Sequence, residues 1–294
     1  MTQPLTDAIT ALTTYANSVT GASDTTLSEA VATLADGYGG GGGDAITALV
    51  TGIFDKDYTF TETSIGRAFA NCTGVVDIFL PNVVTLRVKN YAFENSEFNS
   101  VSMPSYADTL STAFRGCKIK HVYAPNCTTI GERGFSGCSE LLEAFYPKAS
   151  SPSRWTFENC SKLKTAVIGG IANYQAFLNC VLLESVDISK NINGNKIDNT
   201  FQSCALLDTL VIRASNLITL TNLTAFTGTP FASDGTGGTL YVPNDLISTY
   251  QSASNWSTIL GYANNSIKSI ESTHTDPNAP IDLTLYYADG TPIE

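Results

Sequence analysis

An elongated solenoid, α/β in class and strand-rich, is the fold this sequence predicts, and three observations predict it. A phenylalanine turn recurs eight times, with its clearest copies at Ala113-Phe114-Arg115-Gly116-Cys117, Gly134-Phe135-Ser136-Gly137-Cys138, Thr156-Phe157-Glu158-Asn159-Cys160, Ala176-Phe177-Leu178-Asn179-Cys180 and Thr200-Phe201-Gln202-Ser203-Cys204. Weaker copies sit at Phe69, Phe93 and Phe226, and successive phenylalanines lie 24, 21, 21, 22, 20, 24 and 25 residues apart. Six of the seven cysteines (Cys72, Cys117, Cys138, Cys160, Cys180, Cys204) share one repeat position, and only Cys127 is out of phase. An apolar alternation follows the Cys, as in Leu163-x-x-Ala166-x-Ile168, Leu183-x-x-Val186-x-Ile188 and Leu207-x-x-Leu210-x-Ile212. A period in the low twenties means stacked units, each burying its apolar face only against its neighbours.

Residues 1–36 read as a separate helical module. Leu5, Ile9, Leu12, Ala16 and Val19 recur at helical spacing, and a second helix from Ser23 to Ala35 carries a capping box at Thr26 and Glu29. Two short amphipathic helices make little core alone, so they must pack on each other, on copies of themselves or on a docking partner. Residues 37–43 form a glycine-rich linker with no preceding strand and no following Lys-Ser/Thr, which makes it a tether and not a phosphate loop.

The array spans residues 44–243, with a short helix over 45–54 closing its first end. Within a unit, period-2 alternation over a few residues gives a short strand with one buried face. Pro or Gly follows (Pro81, Pro104, Pro125, Pro147, Gly169), then a second apolar pair such as Thr129-Ile130, then the Phe turn. The rings are expected to stack as an internal spine. Residues 244–271 read as a cap that seals the last edge with Leu246, Ile247, Tyr250, Trp256, Ile259, Ile267 and Ile270. Residues 272–294 form a polar tail with a short strand and an Asp-Gly turn.

A net charge of −11 and the absence of a basic stripe argue against nucleic acid as a partner. No stretch approaches the roughly 20 apolar residues of a membrane helix, so no membrane insertion is expected. The first residues lack the basic and apolar regions of a secretory signal, which points to synthesis and folding in a bacterial cytoplasm. The cysteines then read as buried structural thiols, since a small weakly polar side chain suits a tight turn. With no Cys-x-x-Cys pair and two histidines, no metal and no cofactor are expected.

The unit Cys-x-x-Leu-x-x-Val-x-Ile…Ile-x-x-x-Ala-Phe-x-x-Cys resembles the BspA-like (treponemal-type) leucine-rich repeats, most strongly over 138–204 and in all over 60–245. The ending Tyr241-Val-Pro243…Tyr250…Asn255-Trp256…Ile267-Lys-Ser-Ile270 resembles the C-terminal cap seen with such arrays. The resemblance implies a curved leucine-rich-repeat solenoid with short convex helical turns, used in surface or adhesive proteins without catalysis. Two departures, Ser96 in place of a Cys and Ile119 one residue early after Cys117, predict local irregularity. Residues 1–36 with the following Gly run resemble N-terminal segments of tail and other virion proteins of phages and prophages, which implies attachment of a distal module to a particle.

Residues between the buried strand positions are expected to face outward. One row holds Phe79, Ser102, Tyr123, Phe145, Val167, Asp187 and Val211, and its neighbour holds Asp77, Ser100, His121, Glu143, Thr165, Ser185 and Thr209. The candidate ligand- or partner-binding set is Asp77, Phe79, Ser102, His121, Tyr123, Glu143, Phe145 and Val167. Exposed aromatics with polar neighbours mark binding faces, and the competing reading is that other parts of the chain cover them. His121 has Glu143 as its one candidate orienting acid and no strained serine elbow, so a surface histidine is the simpler reading and no catalytic residue is assigned. Asn71-Cys-Thr73 and Asn159-Cys-Ser161 match glycosylation sequons at positions where the repeat itself demands Asn-Cys.

The functional expectation is a non-enzymatic, tail-associated phage or prophage virion protein for structure and recognition. It would hold other virion proteins through residues 1–36 and a host surface protein or glycan through the solenoid, and homo-oligomerise, as a trimer by resemblance to tail fibres. The alternatives are a bacterial cell-surface adhesin of the BspA-like type and a tail-associated glycan-degrading enzyme.

Overall fold

The computed structural model describes residues 90–102, 108–109, 111–149, 151–152, 154–170, 174–188 and 196–270, with residues 70, 71 and 73 and four short strands between 58 and 88. The expected modules at 1–36 and 37–43, the helix over 45–54, Phe69, Cys72 and the tail from 272 lie outside them.

Each unit contributes one short strand to a ten-stranded, wholly parallel sheet. In order the strands are Tyr58–Thr59, Asp77–Phe79, Ser100–Ser102, His121–Tyr123, Glu143–Tyr146, Thr165–Ile168, Ser185–Ile188, Thr209–Ile212, Thr239–Val242 and Ser266–Ser269. Parallel neighbours need a crossover, and here the crossover is the rest of one coil. A second parallel ladder of two-residue strands runs along the coils, from Ser64–Ile65 to Ser151–Pro152, and a third pairs Lys196–Ile197 with Thr219–Leu220. The pair Thr129–Ile130 belongs to the second ladder, as its apolar alternation requires.

The phenylalanine turns close each coil. Every spine ring is fully buried, and neighbours stack with centroids 5.2 Å (Phe93–Phe114), 5.1 Å (Phe114–Phe135), 5.8 Å (Phe135–Phe157), 5.2 Å (Phe157–Phe177), 5.7 Å (Phe177–Phe201) and 5.6 Å (Phe201–Phe226) apart. Such pairs are worth about 0.5–1.5 kcal/mol each beyond the area they bury. The cysteine explains itself one bond further in. Its thiol donates to the Phe carbonyl of the preceding coil: Cys117 to Phe93 (2.7 Å), Cys138 to Phe114 (3.1 Å), Cys160 to Phe135 (3.1 Å), Cys180 to Phe157 (3.0 Å) and Cys204 to Phe177 (3.1 Å). These thiols and Cys127 are free and buried, and burial pushes Cys117 and Cys204 up to about 12. A thiol so held is neutral and inert.

In the six turns from Phe93 to Phe201, two positions adopt left-handed backbone. Before the Cys they are Asn95, Gly116, Gly137, Asn159, Asn179 and Ser203, mostly the residue types that tolerate it. Two residues before the Phe they are Tyr91, Thr112, Arg133, Trp155, Gln175 and Asn199, with φ between 49° and 61°. Most of these residue types do not favour that region, which costs of order 1 kcal/mol or more apiece. At three of them a hydrogen bond along the solenoid axis offsets this, from the Thr112, Arg133 and Trp155 N–H groups to the Glu132, Arg154 and Tyr174 carbonyls, and Gly116, Gly137, Asn159 and Asn179 bond likewise to the next coil.

The irregularity foreseen at Ser96 and Ile119 is local. Ser96 is fully buried in the Cys position, and the coils starting at Ser96 and Cys117 both shorten the next step, so that Phe98 and Ile119 fill the place taken elsewhere by Leu141, Leu163, Leu183 and Leu207. At the far end, helices Ile247–Ser252 and Trp256–Leu260 seal the stack. Trp256 packs on Phe226 (5.9 Å) and donates from Nε1 to the Ile218 carbonyl (2.7 Å), while the Tyr250 hydroxyl accepts from the Ile218 N–H (3.1 Å). The last strand, Ser266–Ser269, pairs with Thr239–Val242 and carries Ile267 against the core.

Candidate functional site

The register of the ten-stranded sheet brings the two predicted rows together as rows. Asp77, Ser100, His121, Glu143, Thr165, Ser185 and Thr209 pair in succession, and so do Phe79, Ser102, Tyr123, Phe145, Val167, Asp187 and Val211. In the His121–Tyr123 and Glu143–Tyr146 strands the burial alternates, with Val122, Ala144 and Tyr146 inward and His121, Tyr123, Glu143 and Phe145 on the other face, half-buried. The side chains of Asp77, Phe79 and Ser102 lie outside the described residues, so only their register is fixed.

Tyr123 and Phe145 stack, with centroids 5.2 Å apart and planes 11° from parallel. Beside them, His121 Nδ1 stands 3.5 Å from Glu143 Oε2. That separation lies within ion-pair reach, yet Nδ1 is buried and has no hydrogen-bond partner, so the two are neighbours and not a hydrogen-bonded dyad. Ser100 is the register neighbour on the other side of His121. Among the described residues, no three or more His, Cys, Asp or Glu side chains are grouped to hold a metal ion.

The later half of the outward row differs from expectation. Val167 keeps its predicted register but is 3% exposed, and Asp187 (3%) and Val211 (5%) are buried with it. Beside this stretch lies a cation that spacing does not reveal. Arg213, just past the Thr209–Ile212 strand, reaches back across the sheet, and its Nε donates to both Asp187 carboxylate oxygens at 3.0 and 2.9 Å. In register, Val167 stands between Asp187 of this pair and Phe145. Val167 is therefore the inner wall of the site and not part of its accessible surface. Farther along, Lys268 lies over the Tyr241 ring, 5.9 Å from its centroid. The accessible patch thus comprises His121, Tyr123, Glu143 and Phe145, an aromatic pair beside an acid and a base.

Residues 63–173 and 170–233, more than half of the chain, match the BspA type leucine-rich repeat region in six copies. No curated protein matches the chain. Repeats of this type form protein-interaction domains of the surface and adhesion kind, on a solenoid that is typically non-enzymatic. The match includes none of residues 1–36 and gives the virion expectation no support.

Proposed function

From the premise that this chain belongs to the BspA type leucine-rich repeat family, we propose that it is a non-enzymatic recognition protein that binds a protein on a bacterial surface through the outward face of its sheet. The observation that carries this is the stacked Tyr123–Phe145 pair, half-exposed beside His121 and Glu143. Stacked rings of fixed orientation offer apolar area at low entropic cost, and flanking polar groups fix the partner's register. Asp77, Phe79 and Ser102 extend the patch by register, and Val167 supports it from beneath.

We assign the protein to the bacterial cell surface, where repeats of this type are common, with residues 1–36 as the attachment and assembly module beyond the glycine tether. The test is binding of the labelled full chain to intact bacterial cells before and after protease treatment. Tyr123→Ala and Phe145→Ala should each weaken binding by about tenfold or more, with folding intact by circular dichroism. Unchanged binding removes the aromatic patch from the account, and binding that survives protease but not glycan removal makes the ligand a glycan.

The tail-associated virion reading is carried by the sequence of residues 1–36. Recovery of the chain from purified phage particles, and not from washed phage-free cells, would put it in place of the surface reading.

A further inference from the structure

We propose that the phenylalanine-turn side of the solenoid carries a second binding site, apart from the sheet face, that takes the carboxylates of an acidic peptide segment. Four side chains from three successive coils build it. The Arg133 guanidinium lies over the Trp155 ring, 4.5 Å from its centroid, and that of Arg154 lies over the Tyr174 ring at 5.9 Å. Trp155 and Tyr174 meet edge to face, 5.8 Å apart. The arrangement is held from below and from the side. The Arg133 N–H donates to the Arg154 carbonyl (3.1 Å) and the Trp155 N–H to the Tyr174 carbonyl (3.2 Å). Trp155 Nε1 donates to Gln175 Oε1 (2.9 Å), and Gln175 Nε2 to Gln202 Oε1 (3.2 Å), which fixes the indole.

The charges in this cluster are uncompensated. Arg115, Lys118, Lys162 and Arg213 each face a carboxylate, whereas Arg133 and Arg154 face none among the described residues. Arg133 Nε is buried without a hydrogen-bond partner, in a chain whose net charge is −11. Guanidinium groups stacked on rings are pre-oriented, and their free N–H forks match a carboxylate in two-point geometry. The ligand class follows from what is left open. Each ring has a guanidinium over a face and the two rings meet edge to face, which leaves little platform for a sugar. Guanidinium donors and positive ring edges remain, and both attract a carboxylate. Arg, Trp and Tyr together are also the residue types that dominate protein interfaces.

Acetylated hexaglutamate amide, titrated into the full chain and followed by calorimetry and by Trp fluorescence, tests this. Binding should saturate and weaken about tenfold or more between about 50 and about 300 mM salt. Arg154→Gln, at an exposed position where folding is not at stake, and Arg133→Gln should each weaken it about tenfold with an unchanged melting temperature. Arg115→Gln, whose guanidinium already faces Glu94, and Tyr123→Ala should leave it unchanged, which separates this site from the sheet face. Absence of saturation, equal binding of hexaglutamine, or unaltered binding by Arg154→Gln overturns the proposal. Tighter binding of hexagalacturonate than of hexaglutamate overturns the peptide assignment.

Discussion

Phe145 and Phe157 are the same side chain within one coil, and they occupy opposite sides of the strand layer. Phe157 is enclosed between Phe135 and Phe177 in the spine, while Phe145 lies half-exposed against Tyr123 on the outward row. The outward row itself divides again, since Asp187 and Val211 share the register of Phe145 and are shut in by Arg213. The repeat therefore fixes where a residue sits, and its neighbours along the axis decide whether it meets a partner. The aromatic pair at one end of the row stays accessible, and the carboxylate and valine beside Arg213 do not.

The largest expected break is at the spine. Phe157→Ala should cost about 3–5 kcal/mol, because the stacked neighbours cannot collapse into the space, and chemical denaturation measures it. Arg213→Ala should follow at about 3 kcal/mol, since it leaves Asp187 buried without its cation. Replacing both as Asp187→Leu and Arg213→Met should recover most of that loss, which would show the pair to be a seal and not a source of stability.

Alkaline titration sharpens the interior side of the comparison. Burial raises Cys117, Cys204 and Tyr250 to about 12, so each remains protonated in the folded chain while its unfolded counterpart ionises. Their contribution is fully present below pH 9 and is lost as the pH rises toward 12, at about 1.4 kcal/mol per pH unit for each group. Thermal melts above pH 9 should fall steeply, and Cys117→Ala should make that fall shallower. Phe145→Ala should change stability by about 1 kcal/mol or less while reducing cell binding. Lys162→Ala, which breaks the exposed contact to Glu140, should produce no measurable shift in melting temperature.

Much of this was legible in the sequence, and the limits are instructive. The Phe–Cys period gives the coil, the spine and the strand register because each is enforced by burial at a fixed spacing. The Asn, Gly or Ser before each repeat Cys marks a left-handed position that few residues accept. The second left-handed position is not legible, because Tyr91, Thr112, Arg133, Trp155, Gln175 and Asn199 share no chemistry; only their place two residues before the Phe is common. The thiol-to-carbonyl ladder is hidden as well, since a buried Cys reads as a small apolar residue. The Asp187–Arg213 bond is hidden too, because it spans 26 residues and repeats nowhere else among the described coils.

Hydroxyl-radical footprinting of the intact chain measures the division between spine and face most directly. The account predicts rapid oxidation of Tyr123 and Phe145, with Phe114, Phe135, Phe157, Phe177 and Phe201 protected until the chain unfolds. Comparable oxidation of the two sets in the folded protein would contradict it.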